Sequence, residues 1–286
     1  MRRVARGADW HPVRQCGLMP IPAIQHIARY RAHGEIHYGR REQGGYIRWS
    51  AAPWQSGRET GPRDALDRAT LLAPVIPTKI VCVGLNYRAH VAESATVLPG
   101  GAPHEAPAEP LLFFKPPSAV VGSGEAIVYP RGVTRMDPEA EMAVVIGRRA
   151  RAVSERDAMD HVAGLTCFND VSARNYQRQD GQWTRAKGFD TFAPIGPWIA
   201  VGLAPEGLEV TCQVNGVERQ RGDTADLLFS VPALIRFISS IMTLEVGDVI
   251  ATGTPAGIAP IEVGDRVEVE VTGIGVLENR VEGAGA

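Results

Sequence analysis

Apolar positions recur along this chain with two periods. Short stretches such as GEIHYGRR and GGYIRWS, set between Gly- and Pro-containing turns, predict small β-strands between about Ile21 and Pro77, where the segment closes on LLAPVIP. From Lys79 onward the runs lengthen and fill with Val and Ile: KIVCVGLNY, LLFFKPP, AEMAVVIGR and RVEVEVTG predict the strands of a larger β-rich unit. In the last of these, Val267, Val269 and Val271 alternate with charged residues, as in a strand with its valines turned inward. Helical spacing appears twice. Ser154 precedes ERDAMDHVAG with Asp157 three positions on, a capping-box-like start. Ser230 precedes a stretch with Pro232 in its first turn and with Leu234, Ile235, Ile238 and Ile241 on one face. Many strands and few helices predict a mainly β fold with some α (α+β). The chain divides into a tail expected to be disordered over 1–20, a small N-terminal domain over 21–77 and a larger β-rich domain over 78–286.

Composition narrows the function classes. With 286 residues, 44% hydrophobic and 22% charged, the chain is an ordinary globular protein that needs no disulfide or structural zinc to fold. A formal net charge of -2 offers no field for a phosphate backbone, so nucleic acid is not an expected partner. Cys16, Cys82, Cys167 and Cys212 form no CxxC pair, which fits a reducing cytoplasm. No apolar run approaches the roughly 18 residues of a membrane span. The opening MRRVARGADWHPVRQ is basic but is followed by no apolar h-region, so it reads as a tail, or as sequence upstream of a start at Met19, rather than as a signal peptide. The chain has no GxxxxGK[ST], complete GxGxxG, GxSxG or HExxH, which removes support for nucleotide hydrolysis, NAD chemistry, α/β-hydrolase chemistry and zincin chemistry.

Four segments carry candidate chemistry. In DPEAEMAVVIG, Glu139 and Glu141 are two apart and project from one face of a strand, opposite Ala140, Met142, Val144 and Ile146. Such a pair is either solvated or held together by a cation. In GLTCFNDVSARNYQ, Asp170 ends an apolar run; a helix there stacks Asp170, Arg174 and Gln177, while a helix cap is the plain alternative for Asp170. Together Glu139, Glu141 and Asp170 offer three hard oxygen ligands, a set suited to Mg²⁺, Mn²⁺ or Ca²⁺. His90 and Glu93 in GLNYRAHVAES sit side by side on a helical turn, either as a surface ion pair or as an oriented general base. Lys187, between an aromatic-rich stretch and a glycine, suits a substrate carboxylate or carbonyl. TGTPAG needs its glycines and Pro255 for turns, and Thr254 is placed to donate to a substrate carboxylate.

The ordered set GLNYRAHVAE, LFFKPPSAVVG, DPEAEMAVVIGR, FNDVSARNYQ, AKGFDTFAPIGPW, QVNGVERQ, TLEVGDVIATGTPAGI and GIGVLENRV resembles the fumarylacetoacetate hydrolase family from about Lys79 to Val281. RYRAHGEIHYGRRE resembles the small leading domain of bacterial 2-hydroxyhepta-2,4-diene-1,7-dioate isomerases. The resemblance implies a rolled mixed β-sheet, a homodimer and a Mg²⁺ or Mn²⁺ site, with Ca²⁺ a possible occupant in crystals. Motif for motif it implies Glu139, Glu141 and Asp170 as metal ligands, His90, Glu93 and Lys187 as catalytic residues, and Arg174, Gln177 and Thr254 as substrate contacts. Pro138 departs from the family pattern, which often has an aromatic or aliphatic residue there.

The reaction so implied is hydrolysis of a C–C bond in a 2,4-dioxo acid of acylpyruvate or fumarylpyruvate type, through a metal-stabilised enolate, with His90 and Glu93 activating water. The same electron sink serves the isomerase or decarboxylase chemistry of 2-oxo diacids in aromatic catabolism. A non-catalytic metal-binding scaffold is the reading from another class. The presence of all three carboxylates, His90, Glu93 and Lys187 speaks against it.

Overall fold

The structure, a computed structural model, describes residues 23–94 and 106–285. The tail expected over 1–20, with Cys16 and Met19, lies outside these residues. In chain order the strands are β1 (Gln25–Ala32), β2 (Glu35–Glu42), β3 (Gly45–Trp49), β4 (Glu59–Ala65), β5 (Thr70–Leu72), β6 (Ile80–Gly84), β7 (Leu111–Lys115), β8 (Val120–Val121), β9 (Ile127–Tyr129) and β10 (Met136–Asp137). They continue with β11 (Ala140–Ile146), β12 (Val162–Asn169), β13 (Ser172–Ala173), β14 (Ala193–Val201), β15 (Glu209–Val214), β16 (Val217–Asp223), β17 (Val249–Ala251), β18 (Arg266–Val271) and β19 (Gly275–Gly283). The α-helices are α1 (Arg88–Ser94), α2 (Arg174–Asp180), α3 (Thr184–Lys187) and α4 (Val231–Ile241).

Twelve strands make one mixed sheet that runs β4-β3-β2-β1-β14-β12-β11-β17-β6-β7, with β5 on β1 and β8 on β14. A second sheet of five strands runs β16-β15-β18-β19-β9. The segments expected to be strands are strands, and the fold is mainly β. The N-terminal strands extend the large sheet: β1 pairs with β14 from Gln25↔Val201 to Ile27↔Ile199.

Strand β11 shows why its sequence is so uniformly apolar. Ala140, Met142, Val144 and Ile146 join a core shared with Val210, Val267, Val269 and Val271 of the second sheet and with α4. Ala143 and Val145 on its other face join Ile80, Cys82, Phe168, Ile195 and Val249. Apolar groups cover the strand on both sides, so a carboxylate at its leading end is buried wherever it points. Glu139 and Glu141 are in that position.

Of the two helices expected, one forms as predicted. Ser230 accepts from Ala233 N–H at 3.4 Å, and Leu234, Ile235 and Ile238 are fully buried. Ile241, expected on the same face, is 54% exposed because it is the last residue of α4 and lies past the edge of the core. The other expectation fails after one turn. Ser154 and Asp157 do pair at 2.7 Å, but only a 3-10 turn (Ala158–His161) follows before β12 begins at Val162. Pairing of this segment with β11 on one side and β14 on the other outweighs a local helix start. Among the described residues no helix is long and apolar enough to cross a membrane.

In the N-terminal strands, Asp64 is buried yet charged. Arg48 donates to both its oxygens at 2.6 and 2.7 Å and Tyr30 donates at 2.8 Å, while Tyr30 stacks on Tyr46. The Arg48 hydrogen bonds hold the Asp64 carboxyl down at about 2 against the opposing effect of burial. A depressed carboxyl contributes stability above its unfolded value and loses it as pH falls through the folded one. Asp64→Asn is therefore expected to cost about 2 kcal/mol at pH 7 in denaturant unfolding. The gap between variant and wild type should close as pH falls from about 4 towards 2.

Candidate active site

The site forms where β11, β12, α1, α2 and α3 meet. Glu139, Glu141 and Asp170 are 5%, 2% and 0% exposed, and a carboxylate oxygen from each lies within 4.8 Å of the others. The two-residue spacing on β11 brings Glu139 and Glu141 together, and Asp170 joins them because its N–H donates to the Glu139 carbonyl at 2.9 Å. The expected helical stack of Asp170, Arg174 and Gln177 is not what places Asp170. The chain first bridges Ser172–Ala173 to Met136–Asp137, and α2 starts only at Arg174. Asp170 therefore sits in the turn ahead of the helix and does not cap it.

The charges around these carboxylates are uneven. Glu139 accepts from Arg174 Nη2 at 2.6 Å and Lys187 Nζ at 2.7 Å, and these two cations hold it well below the usual carboxylate range despite its burial. Asp170 Oδ2 accepts from Lys187 Nζ at 2.7 Å. Glu141 accepts only the Gly253 N–H, at 2.8 Å, among the hydrogen bonds described. Burial, then the charges of Asp170 and Glu139, push Glu141 well above its ordinary value.

Asp170 Oδ1 is left over in a different way. It lies 2.8 Å from Lys115 Nζ, but that ammonium has three protons and donates to the carbonyls of Val171, Lys187 and Phe192 at 2.9, 2.7 and 2.7 Å. Oδ1 thus feels a positive charge yet receives no hydrogen bond, an orphan oxygen in a fully buried position. An orphan oxygen on Asp170, an uncompensated Glu141 and a third carboxylate beside them fit a hard divalent cation.

Arg174 and Gln177 line the same pocket, and three of the five Arg174 N–H groups are engaged with protein groups. Arg174 donates to Asp137 at 2.9 Å, to Gln177 Oε1 at 2.8 Å and to Glu139, so it braces the Glu139 carboxylate. Lys187 likewise bonds Glu139 and Asp170. Thr254, expected to donate to a substrate carboxylate, gives its hydroxyl proton to the Ala140 carbonyl at 2.8 Å.

His90 lines the pocket from α1, with Nδ1 3.1 Å from Glu93 Oε2. Gly257 N–H donates to both Glu93 oxygens at 3.1 Å, and burial is outweighed by His90 and this N–H, so Glu93 is held below its ordinary value. The TGTPAG loop therefore serves both halves of the site: Gly253 holds Glu141 and Gly257 holds Glu93. Both glycines are required by geometry. Gly253 has φ +102° with Asn86 Cβ 2.7 Å from where its own Cβ would stand, and Gly257 has φ +105° with the Arg219 carbonyl at 2.1 Å. Leu85, Ile258, Phe113 and Trp183 form the apolar wall of the pocket, the last two in edge contact with centroids 5.2 Å apart.

Sequence reasoning missed Lys115, whose one signal is a lysine at the end of the apolar run LLFF. Replacing it by Met should cost about 3–5 kcal/mol in denaturant unfolding, because three carbonyls and Asp170 lose their shared cation.

Residues 79–282 match the fumarylacetoacetate (FAA) hydrolase C-terminal family, and residues 25–74 match the Rv2993c-like N-terminal family. A mitochondrial oxaloacetate tautomerase of Arabidopsis thaliana is 42% identical over 211 residues, which are 72% of this chain and 91% of that protein. The crystal structure of a 2-hydroxyhepta-2,4-diene-1,7-dioate isomerase from Mycobacterium marinum superposes with a TM-score of 0.83 at 38% identity, covering 92% of this chain and 100% of that one. A maleylpyruvate hydrolase from Sphingobium sp. SYK-6, solved with manganese(II) and pyruvate, gives 0.73 at 27% identity, covering 91% and 100%. From the motifs, the sheet that carries them and these likenesses together, the chain belongs to the fumarylacetoacetate hydrolase family.

Proposed function

We propose that this protein is a divalent-metal-dependent enzyme that moves a proton at C3 of a small 2-oxo acid, interconverting keto and enol forms or shifting a double bond in a 2-oxo diacid. The observation that carries this reading is the placement of His90, backed by Glu93, in one pocket with the three carboxylates. Glu139, Glu141 and Asp170 would hold the cation, and Mg²⁺ or Mn²⁺ suits their all-oxygen donor set. The ion would supply Lewis-acid polarisation of the 2-keto oxygen of a chelated 2-oxo acid, which acidifies its C3 protons.

The residues of the chain do the rest. The His90 imidazole, oriented by Glu93, accepts the C3 proton; the C–H electron pair moves into the C2–C3 bond, and the 2-keto oxygen takes up the charge. Lys187 uses two of its three protons on Glu139 and Asp170 and offers the third to that oxygen. Phe113, Trp183, Leu85 and Ile258 limit water around the reacting carbon. Return of the proton from His90 to C3, or to a carbon further along a conjugated chain, completes the cycle.

Support from relatives runs the same way: a tautomerase at 42% and an isomerase at 38% stand nearer than the hydrolase at 27%. A second reading, hydrolysis of the C–C bond of a 2,4-dioxo acid, is favoured by that hydrolase, whose structure holds manganese and pyruvate. There the His90–Glu93 pair would activate water instead.

The test is a panel at fixed Mg²⁺ of oxaloacetate, a 2-hydroxymuconate-type diacid, acetylpyruvate and fumarylpyruvate, following enol absorbance and pyruvate release together. Absorbance change in the diacids without pyruvate supports isomerisation. Stoichiometric pyruvate from a dioxo acid moves the assignment to hydrolysis.

A further inference from the structure

The one buried side chain of strand β16 is a polar one. Val217 is 53% exposed while Gln220, a polar residue on the same strand, is 1% exposed. The buried amide is fully engaged. Gln220 Oε1 accepts the Ala140 N–H at 2.9 Å, and Nε2 donates to Thr254 Oγ1 and to the Pro255 carbonyl, both at 2.8 Å. The two ends of the amide cannot be exchanged, because Ala140 N–H only donates and the Pro255 carbonyl only accepts. Thr254 then donates to the Ala140 carbonyl at 2.8 Å, which closes a ring of hydrogen bonds through Ala140, Gln220 and Thr254.

The position of this ring matters. Ala140 is the residue between Glu139 and Glu141, so the ring grips the one peptide stretch that sets the spacing of those carboxylates. Its other side grips the loop whose Gly253 holds Glu141 and whose Gly257 holds Glu93. The approach of β16 to that loop leaves no slack: a Cβ on Gly222 would stand 2.6 Å from Pro255 Cβ.

We propose that Gln220 is a positioning residue, which fixes the Glu139–Glu141 pair against the loop that holds Glu93 and so sets both cation affinity and turnover. It touches no reacting atom. The inference rests on the reading that the three carboxylates bind a divalent cation. Partners that orient metal ligands are typically worth about 10–100-fold in affinity or activity.

The experiment is Mn²⁺ titration by calorimetry of the full chain as wild type, Gln220→Leu and Asp64→Asn, with turnover measured at saturating Mn²⁺. Leu keeps the approximate volume of Gln and removes the amide. Gln220→Leu should bind Mn²⁺ about 10–100-fold more weakly and turn over more slowly even when saturated. Asp64→Asn, destabilised at a distance from the pocket, should match wild type in both, which separates positioning from general loosening of the fold. Affinity and turnover of Gln220→Leu within twofold of wild type overturn the inference. A wild type that binds no Mn²⁺ overturns instead the cation reading beneath it. If Gln220→Leu does not fold, Thr254→Val opens the same ring from its other member and Thr254→Ser keeps the hydroxyl. Weakened binding in Val with recovery in Ser supports the ring, and equal binding in both removes it.

Discussion

Glu141→Gln is expected to abolish tight Mn²⁺ binding and to lower turnover by about 10³-fold, the equivalent of roughly 4 kcal/mol of lost charge stabilisation. The same substitution should leave the metal-free protein melting no lower than wild type. These two outcomes are opposite in sign because of where Glu141 sits. It is 2% exposed, its described hydrogen bond is the neutral Gly253 N–H, and burial together with Asp170 and Glu139 makes its negative charge unfavourable. A glutamine oxygen can accept the same N–H without the charge. A carboxylate serving only the fold would behave otherwise, since removing it would break a pairing and lower the melting temperature. Calorimetric Mn²⁺ titration and thermal melts with and without 1,10-phenanthroline or EDTA read both halves of the prediction.

His90→Ala should separate binding from chemistry. Loss of a general base typically costs about 10²–10⁴-fold in rate. Arg174 and Lys187, which donate to the carboxylates, and Lys115, whose charge lies beside Asp170, are all unchanged in this variant, so Mn²⁺ affinity should stay near that of wild type. Steady-state kinetics beside the same titration checks this. Glu93→Gln should fall between wild type and His90→Ala, because the imidazole remains while the charge that orients it is gone.

How much of this was legible in the sequence depends on the distance over which each residue acts. The Glu139–Glu141 pair was readable because period 2 is a local property of a strand. The His90–Glu93 pair was readable for the same kind of reason, a spacing of three on a helical turn. Asp170 was legible as a residue at the end of a strand, but the helical stack invoked for it was wrong, since extended pairing of Ser172 and Ala173 delays α2. Lys115 and Gln220 fall inside two of the quoted motifs, LFFKPPSAVVG and QVNGVERQ, but no role in the site was read for either. Lys115 acts through carbonyls 56 to 77 residues away, and Gln220 through a peptide 80 residues away, so no spacing announces either. The helix expected after Ser154 failed for a related reason. Its start signal is present in the structure, and the ladders on both sides of β12 override it.

Arg174 and Thr254 illustrate a subtler gap. Residue type suggested donors for a substrate; the fold engages three of the five Arg174 N–H groups with Asp137, Gln177 and Glu139, and the Thr254 hydroxyl proton with the Ala140 carbonyl. Such prior commitments appear only when all the acceptors around a buried donor are counted.

In the proposed reaction His90 moves a proton at C3 of a 2-oxo acid held at the carboxylate site. This step is tested most directly by proton NMR of oxaloacetate and of pyruvate in D₂O with Mg²⁺, following loss of the C3 proton signal with wild type, His90→Ala and Glu141→Gln. Wild type is expected to catalyse exchange of C3 protons with solvent for at least one of the two acids, and both variants to show rates at the uncatalysed level. Exchange by His90→Ala as fast as by wild type would contradict the proposed step.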